Sequence, residues 1–292
     1  RHYGKTRLLV FEQPAAEQGR VHHQSMNDLD QWLNTGDVLV VNRSATLPSA
    51  FQVQVLSRAL QFELRLAAFQ GPSPAQPLYW QAVSFGAGSW REATEARGPA
   101  PLLYVGDELY FGPELSARVL AVEHGRVLTL RFESENLLAA LYRYGKPIQY
   151  AYHEAPLEIW DQQTLISGPP ISVEPPSASF ALTADLLLRL AHKGVRVVSL
   201  LHSAGLSSTG EAALDALLPL NEWYHLPEDT VQAIHTARQT GGRVMALGTT
   251  VMRALESAAQ KPSARGVLQA GEGLSRLQIR PGYRFQVVDR LV

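Results

Sequence analysis

The chain has 292 residues, 46% of them hydrophobic, a formal net charge of −1 and no cysteine. This length and apolar content support one large core or two smaller ones, and two is the expectation; the lack of cysteine excludes disulfide frameworks, thiol nucleophiles and thiolate metal sites. The near-zero charge excludes a global basic field, so any RNA binding needs a local patch, for which Arg1, Lys5, Arg7 and Arg20, or Arg143 and Lys146, are available. No apolar run is long enough to span a bilayer and residues 1–10 lack the organisation of a secretory signal, so a soluble, cytoplasmic protein is expected.

In chain order, residues 28–33 read as a helix with Leu29, Trp32 and Leu33 on one face and Gly36 as its stop. The run Val38-Leu39-Val40-Val41, between Asp37 and Asn42, suits a strand covered on both sides. From Phe51 to Phe132 the period changes to two: Phe51, Val53 and Val55 alternate with Gln52 and Gln54, and Phe62, Leu64 and Leu66 with Glu63 and Arg65. Short segments at 78–85, 102–111, 115–122 and 127–132 follow, punctuated by turns such as Gly71-Pro72, Gly112-Pro113 and His124-Gly125. This pattern predicts a small antiparallel barrel or sandwich inserted into the first domain.

After Ser134, a plausible cap, Leu137, Leu138, Leu141 and Tyr144 make a helical stripe that Gly145 and Pro147 stop. Thr183 can cap a helix bearing Leu186, Leu187 and Leu190; Gly194 ends it, and residues 195–201 read as a buried strand. A further helix over 228–240, a strand over 243–247 and a helix from the Gly248-Thr249-Thr250 turn complete the pattern. The fold class is therefore α/β, a mixed or mostly parallel sheet with helices, plus the inserted β-rich unit. The expected division is 1–50 with 135–292 as a discontinuous α/β domain, and 51–134 as the insert. Two strand-to-helix corners, at His202 and Gly248, fall where ligands gather in open α/β sheets.

Three clusters carry candidate chemistry. In ALGTTVMRALES, residues 246–257, Gly248 can turn the backbone while the Thr249 and Thr250 hydroxyls cap a helix whose amides bind an anion; a simply capped helix explains the same residues. Val251, Ala254, Leu255 and Ala258 would face the core, with Arg253 and Glu256 neighbours on another face. His202, ahead of Ser203-Ala204-Gly205, is either a proton-transfer group in a flexible turn or an imidazole that only hydrogen-bonds its loop. Ser207 and Ser208 can bond substrate hydroxyls or simply form turns. Glu222 can act as a base or bind ribose, with Trp223 and Tyr224 stacking on a purine; an exposed acid beside two core aromatics is the alternative. No histidine and carboxylate spacing resembles a metal site, and there is no Walker loop or dinucleotide fingerprint.

The wording of these segments resembles the S-adenosylmethionine:tRNA ribosyltransferase-isomerase family of queuosine biosynthesis. The motif GTT, two residues, then RALE is joined in family order by RLLVF at Arg7, TGDVLVVN ending at Asn42, Gln163-Thr164, Pro176-Ser177-Ala178, Leu201-His202, Glu222-Trp223-Tyr224 and PGYRFQVVD from Pro281. The resemblance covers most of the chain and favours a barrel for the insert. It implies transfer and isomerisation of the ribosyl moiety of S-adenosylmethionine onto 7-aminomethyl-7-deazaguanine in tRNA, with release of adenine and methionine. It also implies S-adenosylmethionine and tRNA as partners and no further cofactor; from the residues themselves, no membrane association and no metal are expected.

By analogy, His202 or Glu222 handles protons, while Gly248, Thr249 and Thr250 grip a carboxylate or phosphate. Arg253 with Glu256 orders the site, and Asn42, Gln163, Ser177 and Tyr224 complete the expected substrate contacts. The chain departs from the family pattern at Ala45 for an arginine, Ala181 for a histidine and Leu220 for a histidine. Those departures leave two other readings: a divergent relative with another acceptor, or a noncatalytic nucleoside-binding protein. Relatives usually continue at both ends, so terminal segments beyond this sequence are expected.

Overall fold

The computed structural model describes residues 6–12, 19–70, 78–260 and 268–292; the expected turn at Gly71-Pro72, and Arg1 and Lys5, lie outside them. Strands β1 (Arg7–Glu12) and β2 (Arg20–Ser25) form an antiparallel ribbon. A 3-10 helix, Met26–Trp32, follows in place of the helix expected at 28–33. It begins earlier because Ser25 and Asp28 form a reciprocal cap: the Ser25 hydroxyl accepts from the Asn27 amide and Asp28 from the Ser25 amide. Leu29 and Leu33 are buried as expected.

Strand β3 (Val38–Asn42) is buried at every position and lies between two parallel partners. Val38 and Val40 join one apolar cluster and Leu39 and Val41 another, which explains a run with no polar alternation. Short β4 (Ala45–Thr46) leads to β5 (Ala50–Val55), β6 (Leu60–Phe69), β7 (Tyr79–Phe85), β8 (Glu108–Gly112), β9 (Leu115–Glu123) and β10 (Val127–Glu133). These last six close into an antiparallel barrel in the order β10-β7-β6-β5-β8-β9, a barrel and not a sandwich. Closure removes the exposed edges that an open six-strand sheet would leave.

Two details depart from simple alternation. The segment 102–111 is extended as a strand only from Glu108. Glu63 and Arg65, the polar positions of the alternation, are nonetheless 7% and 1% exposed. They pair with each other at 2.7 Å, and Arg97 reaches Glu63 at 3.0 Å. Phe85 and Tyr150 cover Arg65, whose guanidinium carbon lies 4.4 and 5.5 Å from their ring centres. The outer side of this strand is thus covered by its neighbour's Phe85, by Arg97 from the β7–β8 connection and by Tyr150 from beyond the barrel, so both sides are interior.

Helix α1 (Leu137–Tyr144) is capped by Asn136, whose side chain accepts from the Ala139 amide at 3.2 Å, not by Ser134. Strand β11 (Pro170–Ser172) pairs with β4. Helix α2 (Ala184–His192) is capped by Thr183 as expected. Then come β12 (Arg196–His202), the short α3 (Ala212–Asp215), β13 (Glu222–Leu226), α4 (Glu228–Gln239), β14 (Val244–Ala246), α5 (Thr249–Ala259), β15 (Gly271–Ser275) and β16 (Arg290–Leu291).

The main sheet runs β15-β13-β12-β3-β14-β16 and is mixed. Its neighbours β12, β3, β14 and β16 are parallel, while β13 and β15 pair antiparallel on one side. His202 therefore does not open a strand-to-helix corner: after β12 the chain loops through α3 and returns as an antiparallel neighbour. The corner at Gly248 is as expected. One apolar cluster contains barrel residues such as Phe69 and Trp80 together with Leu201, Leu206, Leu214 and Trp223, so the barrel and the sheet share an interior. No described helix is long and apolar enough to cross a membrane.

Candidate active site

The carboxyl ends of β3 and β12 are stitched together by Asn42. Its amide donates to the His202 carbonyl at 3.0 Å and its oxygen accepts from the His202 amide at 3.1 Å. Ser44 and Ser172 hydroxyls also donate to that carbonyl, at 3.0 and 3.1 Å. His202 is the last residue of β12, opposite Tyr224 of β13, and its side chain is fully buried. It is a strand residue, not one in a flexible turn. The β13 pairing brings Glu222 beside it, with His202 Nε2 3.5 Å from Glu222 Oε2.

Glu222 is held on both oxygens. Oε1 accepts the Gly205 amide at 2.6 Å, and Oε2 accepts Arg253 Nη1. Gly205 is required here by space: a Cβ on it would lie 2.4 Å from the Ala67 carbonyl oxygen and 2.7 Å from Glu222 Oε1. Arg253 reaches in from α5, and its other nitrogens donate to the carbonyls of Leu277 at 2.8 Å, Leu220 at 2.7 Å and Ser275 at 2.9 Å. Helix α5 is buried on most of its circumference, which is why Arg253 stands in the interior and not on an open face.

Burial pushes the Glu222 carboxyl up to about 7, against the pull of Arg253 and the Gly205 amide, while Glu174 raises it further. Burial, with the Arg253 charge, pushes the His202 imidazole down to about 3. The imidazole is therefore neutral, and its 3.5 Å approach to Glu222 is not an ion pair; neither ring nitrogen has a hydrogen-bond partner. Glu222 is the group poised to exchange a proton near neutrality.

The histidine also sets an acid limit on stability. Its depressed folded pKa stabilises the fold above the unfolded value of about 6.5, and that contribution is lost as pH falls towards about 3. Glu222, raised in the fold, acts oppositely between its ordinary value of 4.5 and about 7, so histidine dominates this pair below pH 4.5. Urea unfolding from pH 4.5 to 3.5 will show a shallower loss in His202→Gln than in the parent, the difference approaching about 1.4 kcal/mol per pH unit. Equal slopes would remove the assignment.

The other expected residues divide. Gly248, with φ of 91°, is itself the N-cap of α5, and neither Thr249 nor Thr250 caps it. The hydroxyls cannot do so from inside the first turn; Thr249 is exposed, and Thr250 Oγ1 lies 3.5 Å from Asn42 Nδ2. Ala178 sits against Gly248, while neighbouring Ser177 is exposed. Gln163 bonds the amide and carbonyl of Thr46, at 3.0 and 2.9 Å, and so anchors β4. Tyr224 is 1% exposed and packs in the sheet core, where burial raises its hydroxyl to about 12; Trp223 packs in the barrel-side core. Neither ring face is open for stacking on a purine.

Glu256 does not partner Arg253. Fully buried, it accepts from the Val287 and Val288 amides on one oxygen and from Tyr283 and the Gln286 amide on the other. It thereby fastens the PGYRFQVVD segment to α5. Of the three departures from the family pattern, Ala181 is packed in the core beneath α2, Ala45 is buried in β4, and Leu220 contributes its carbonyl to Arg253.

His202 and Glu222 meet in the interior, whereas Thr249 is exposed. Solvent-open hollows of about 710, 780 and 650 Å³ lie at the barrel rim beside α1, between the β1-β2 ribbon and β16, and beside Phe69 and Trp80. The last comes near, because Phe69 meets the Trp223 ring edge-on at 6.4 Å. The sequence marks Gly205 only as part of a turn and does not point to Tyr150 or Glu174; all three shape the loop over the site. Glu174 Oε1 accepts from Tyr150 at 2.6 Å and from the Ser207 amide at 3.1 Å. Among the described residues no histidine and carboxylate group could hold a metal.

A family model described as a queuosine biosynthesis protein matches residues 1–292. An S-adenosylmethionine:tRNA ribosyltransferase-isomerase of Thermus thermophilus is 35% identical over 274 residues, covering 93% of this chain and 75% of the relative. One of Acaryochloris marina is 31% identical over 304 residues, covering 99% and 74%. A crystal structure of an S-adenosylmethionine tRNA ribosyltransferase from Thermotoga maritima aligns over 99% of this chain and 77% of its own, with 20% identity and a TM-score of 0.44.

Proposed function

The chain belongs to the queuosine biosynthesis protein family, and from that premise we propose that it is an S-adenosylmethionine:tRNA ribosyltransferase-isomerase. It transfers the ribosyl unit of S-adenosylmethionine onto 7-aminomethyl-7-deazaguanine in tRNA and rearranges it to the epoxycyclopentanediol, releasing adenine and methionine. The observation that carries the reading is the match of the family over residues 1–292. The interior cluster of Glu222, Arg253 and His202 supplies chemistry that suits it.

The sulfonium of S-adenosylmethionine acidifies its 5′ methylene, and Glu222, titrating at about 7, takes that proton. Arg253 holds the carboxylate in place and stabilises its ionised form. His202, neutral at every physiological pH, can accept or donate a hydrogen bond to a bound ligand but carries no charge. Both groups are buried, and the loop from Gly205 to Thr209 meets Glu222 through the Gly205 amide. Gly248, Thr250, Asn42 and Ser177 stand by the ends of β3 and β14 as the flank for the anionic part of the ligand, with Thr249 at its outer edge; Gln163 and Tyr224 support the site from behind.

No cofactor beyond the S-adenosylmethionine substrate enters this reading, and a tRNA acceptor favours a cytoplasmic location. The barrel strands, all between Ala50 and Glu133, support the division into an insert, 51–134, and a discontinuous α/β domain, 1–50 with 135–292.

The test is to incubate the protein with S-adenosylmethionine and tRNA carrying the modified base, following adenine release and tRNA mass. Release of adenine together with the mass gain of the ribosyl-derived group is expected. Adenine without a tRNA product would overturn the acceptor, and no adenine at all would overturn the activity.

A further inference from the structure

On the outer face of the barrel three arginines gather round one aromatic ring. The guanidinium carbons of Arg65, Arg126 and Arg97 lie 4.4, 5.0 and 6.0 Å from the ring centre of Phe85. Arg65 comes from β6, Arg97 from the connection between β7 and β8, and Arg126 from the turn that precedes β10. Glu63 bridges two of them: its Oε1 accepts from Arg65 Nε at 2.7 Å and its Oε2 from Arg97 Nη1 at 3.0 Å. Arg126 is matched separately, by the Ser84 carbonyl at 3.0 Å and the Glu211 carboxylate at 2.9 Å.

Two buried guanidiniums therefore share one carboxylate. The side chains of Arg65 and Arg97 are 1% and 2% exposed, and among the described residues no other acid forms an ion pair with either. Glu174 is taken up by the Tyr150 hydroxyl and the Ser207 amide, while Glu92 and Glu95, in the same connection as Arg97, are exposed. Three donor nitrogens are left over: Arg65 Nη1, Arg97 Nε and Arg97 Nη2 are buried without a hydrogen-bond partner. The two on Arg97 form one edge of a planar guanidinium, where parallel N–H groups match the paired oxygens of an oxyanion. Stacking on Phe85 offsets only part of the cost of burying these cations. Water can fill the hydrogen bonds but not the charge, and an uncompensated interior cation favours a negative partner.

We propose that Arg65 and Arg97 form a binding site for an oxyanion of the phosphate class, free phosphate or a backbone phosphate of an RNA, held by the paired edge of Arg97 and by Arg65 Nη1. The way in is short. Arg97 as a whole residue is only half-buried, Gly98 beside it is exposed, and among the described residues no atom lies within 4 Å of a Cβ placed on Gly98. The site adjoins the loop over Glu222 without being part of it: a Cβ on Gly210 would stand 2.8 Å from Thr94 Cβ, and Glu211 carries the ion pair to Arg126. It uses none of Glu222, His202 and Arg253, so it stands or falls independently of ribosyl transfer.

Calorimetric titration of the full chain with inorganic phosphate, in chloride buffer of matched ionic strength, is the test. Saturable binding with a Kd of about 1 mM or tighter is expected, and Tm will rise with phosphate but not with added chloride. Arg97→Lys, which keeps the charge but loses the paired edge, will weaken phosphate binding by about 10-fold or more. Arg91→Met, which removes an exposed charge from the same connection, will leave it unchanged. A parallel titration with an oligouridylate lacking terminal phosphates separates the sources: a matching loss in Arg97→Lys assigns the site to an RNA backbone, and no change there assigns it to the free anion. No saturable phosphate binding up to about 10 mM overturns the proposal, as does equal phosphate affinity in the parent and folded Arg97→Lys, or an equal loss in Arg91→Met. Should Arg97→Lys fail to fold, Arg65→Lys, which removes the third donor, is read in the same way.

Discussion

Replacing Arg253 with methionine will destabilise the protein by about 3–5 kcal/mol, the range for removing one partner of a buried ion pair. The guanidinium serves four acceptors at once: Glu222 and the carbonyls of Leu220, Ser275 and Leu277. Methionine matches much of the volume, so the loss reports unpaired polar groups and not a cavity. Part of the penalty can be escaped, because Glu222 already titrates at about 7 and can protonate when its partner goes. Arg253→Met with Glu222→Gln will therefore be less destabilised than the sum of the two single changes. Urea unfolding at pH 8, where protonation costs most, measures both effects. A loss below about 1 kcal/mol for the single variant would show that the clasp does not hold α5 against β13 and β15.

Glu222→Gln will lower the rate of adenine release by about 100-fold or more, the usual cost of removing a general base. The amide oxygen can still accept from Gly205 or from Arg253, so the loop and the helix keep one of their two ties to this side chain. Thermal unfolding alongside the assay separates the two losses: a variant that melts near the parent but turns over slowly has lost chemistry. Turnover within a few-fold of the parent, in a protein that releases adenine, would take the proton-transfer role away from this residue.

The legibility of the fold followed how locally each element is determined. The centre of the sheet could be read because Val38 to Val41 carry no polar residue at all, a pattern that only burial on both sides explains. The barrel could be read from Phe51, Val53 and Val55 against Gln52 and Gln54, where alternation reports one inner and one outer face. The same rule misled at Glu63 and Arg65, because the roof over them comes from Phe85, Arg97 and Tyr150, and a period cannot announce what a distant segment will cover.

The candidate site was legible in its residues but not in its contacts. His202 and Glu222 were singled out from motif wording, yet their meeting depends on antiparallel pairing of β12 with β13, where a strand-to-helix corner was expected. Arg253 and Glu256, three apart on one helix, looked like partners; one faces Glu222 and the other binds the 283–288 segment, because both sides of α5 are interior. Glu174 carried no local signal at all, since its importance comes from a hydrogen bond to a tyrosine 24 positions earlier and an amide 33 positions later.

The central strand of the sheet has a further consequence for biogenesis. β3 is made early in translation, but its two flanking partners begin at Arg196 and Val244. Val38 to Asn42 must therefore wait, with their backbone ladder unfilled, until most of the polypeptide has left the ribosome. The intervening strands, Ala50 to Glu133, find their neighbours within that stretch and need no such delay. The apolar run Val38 to Val41 is thus the one a holding chaperone would need to shield longest.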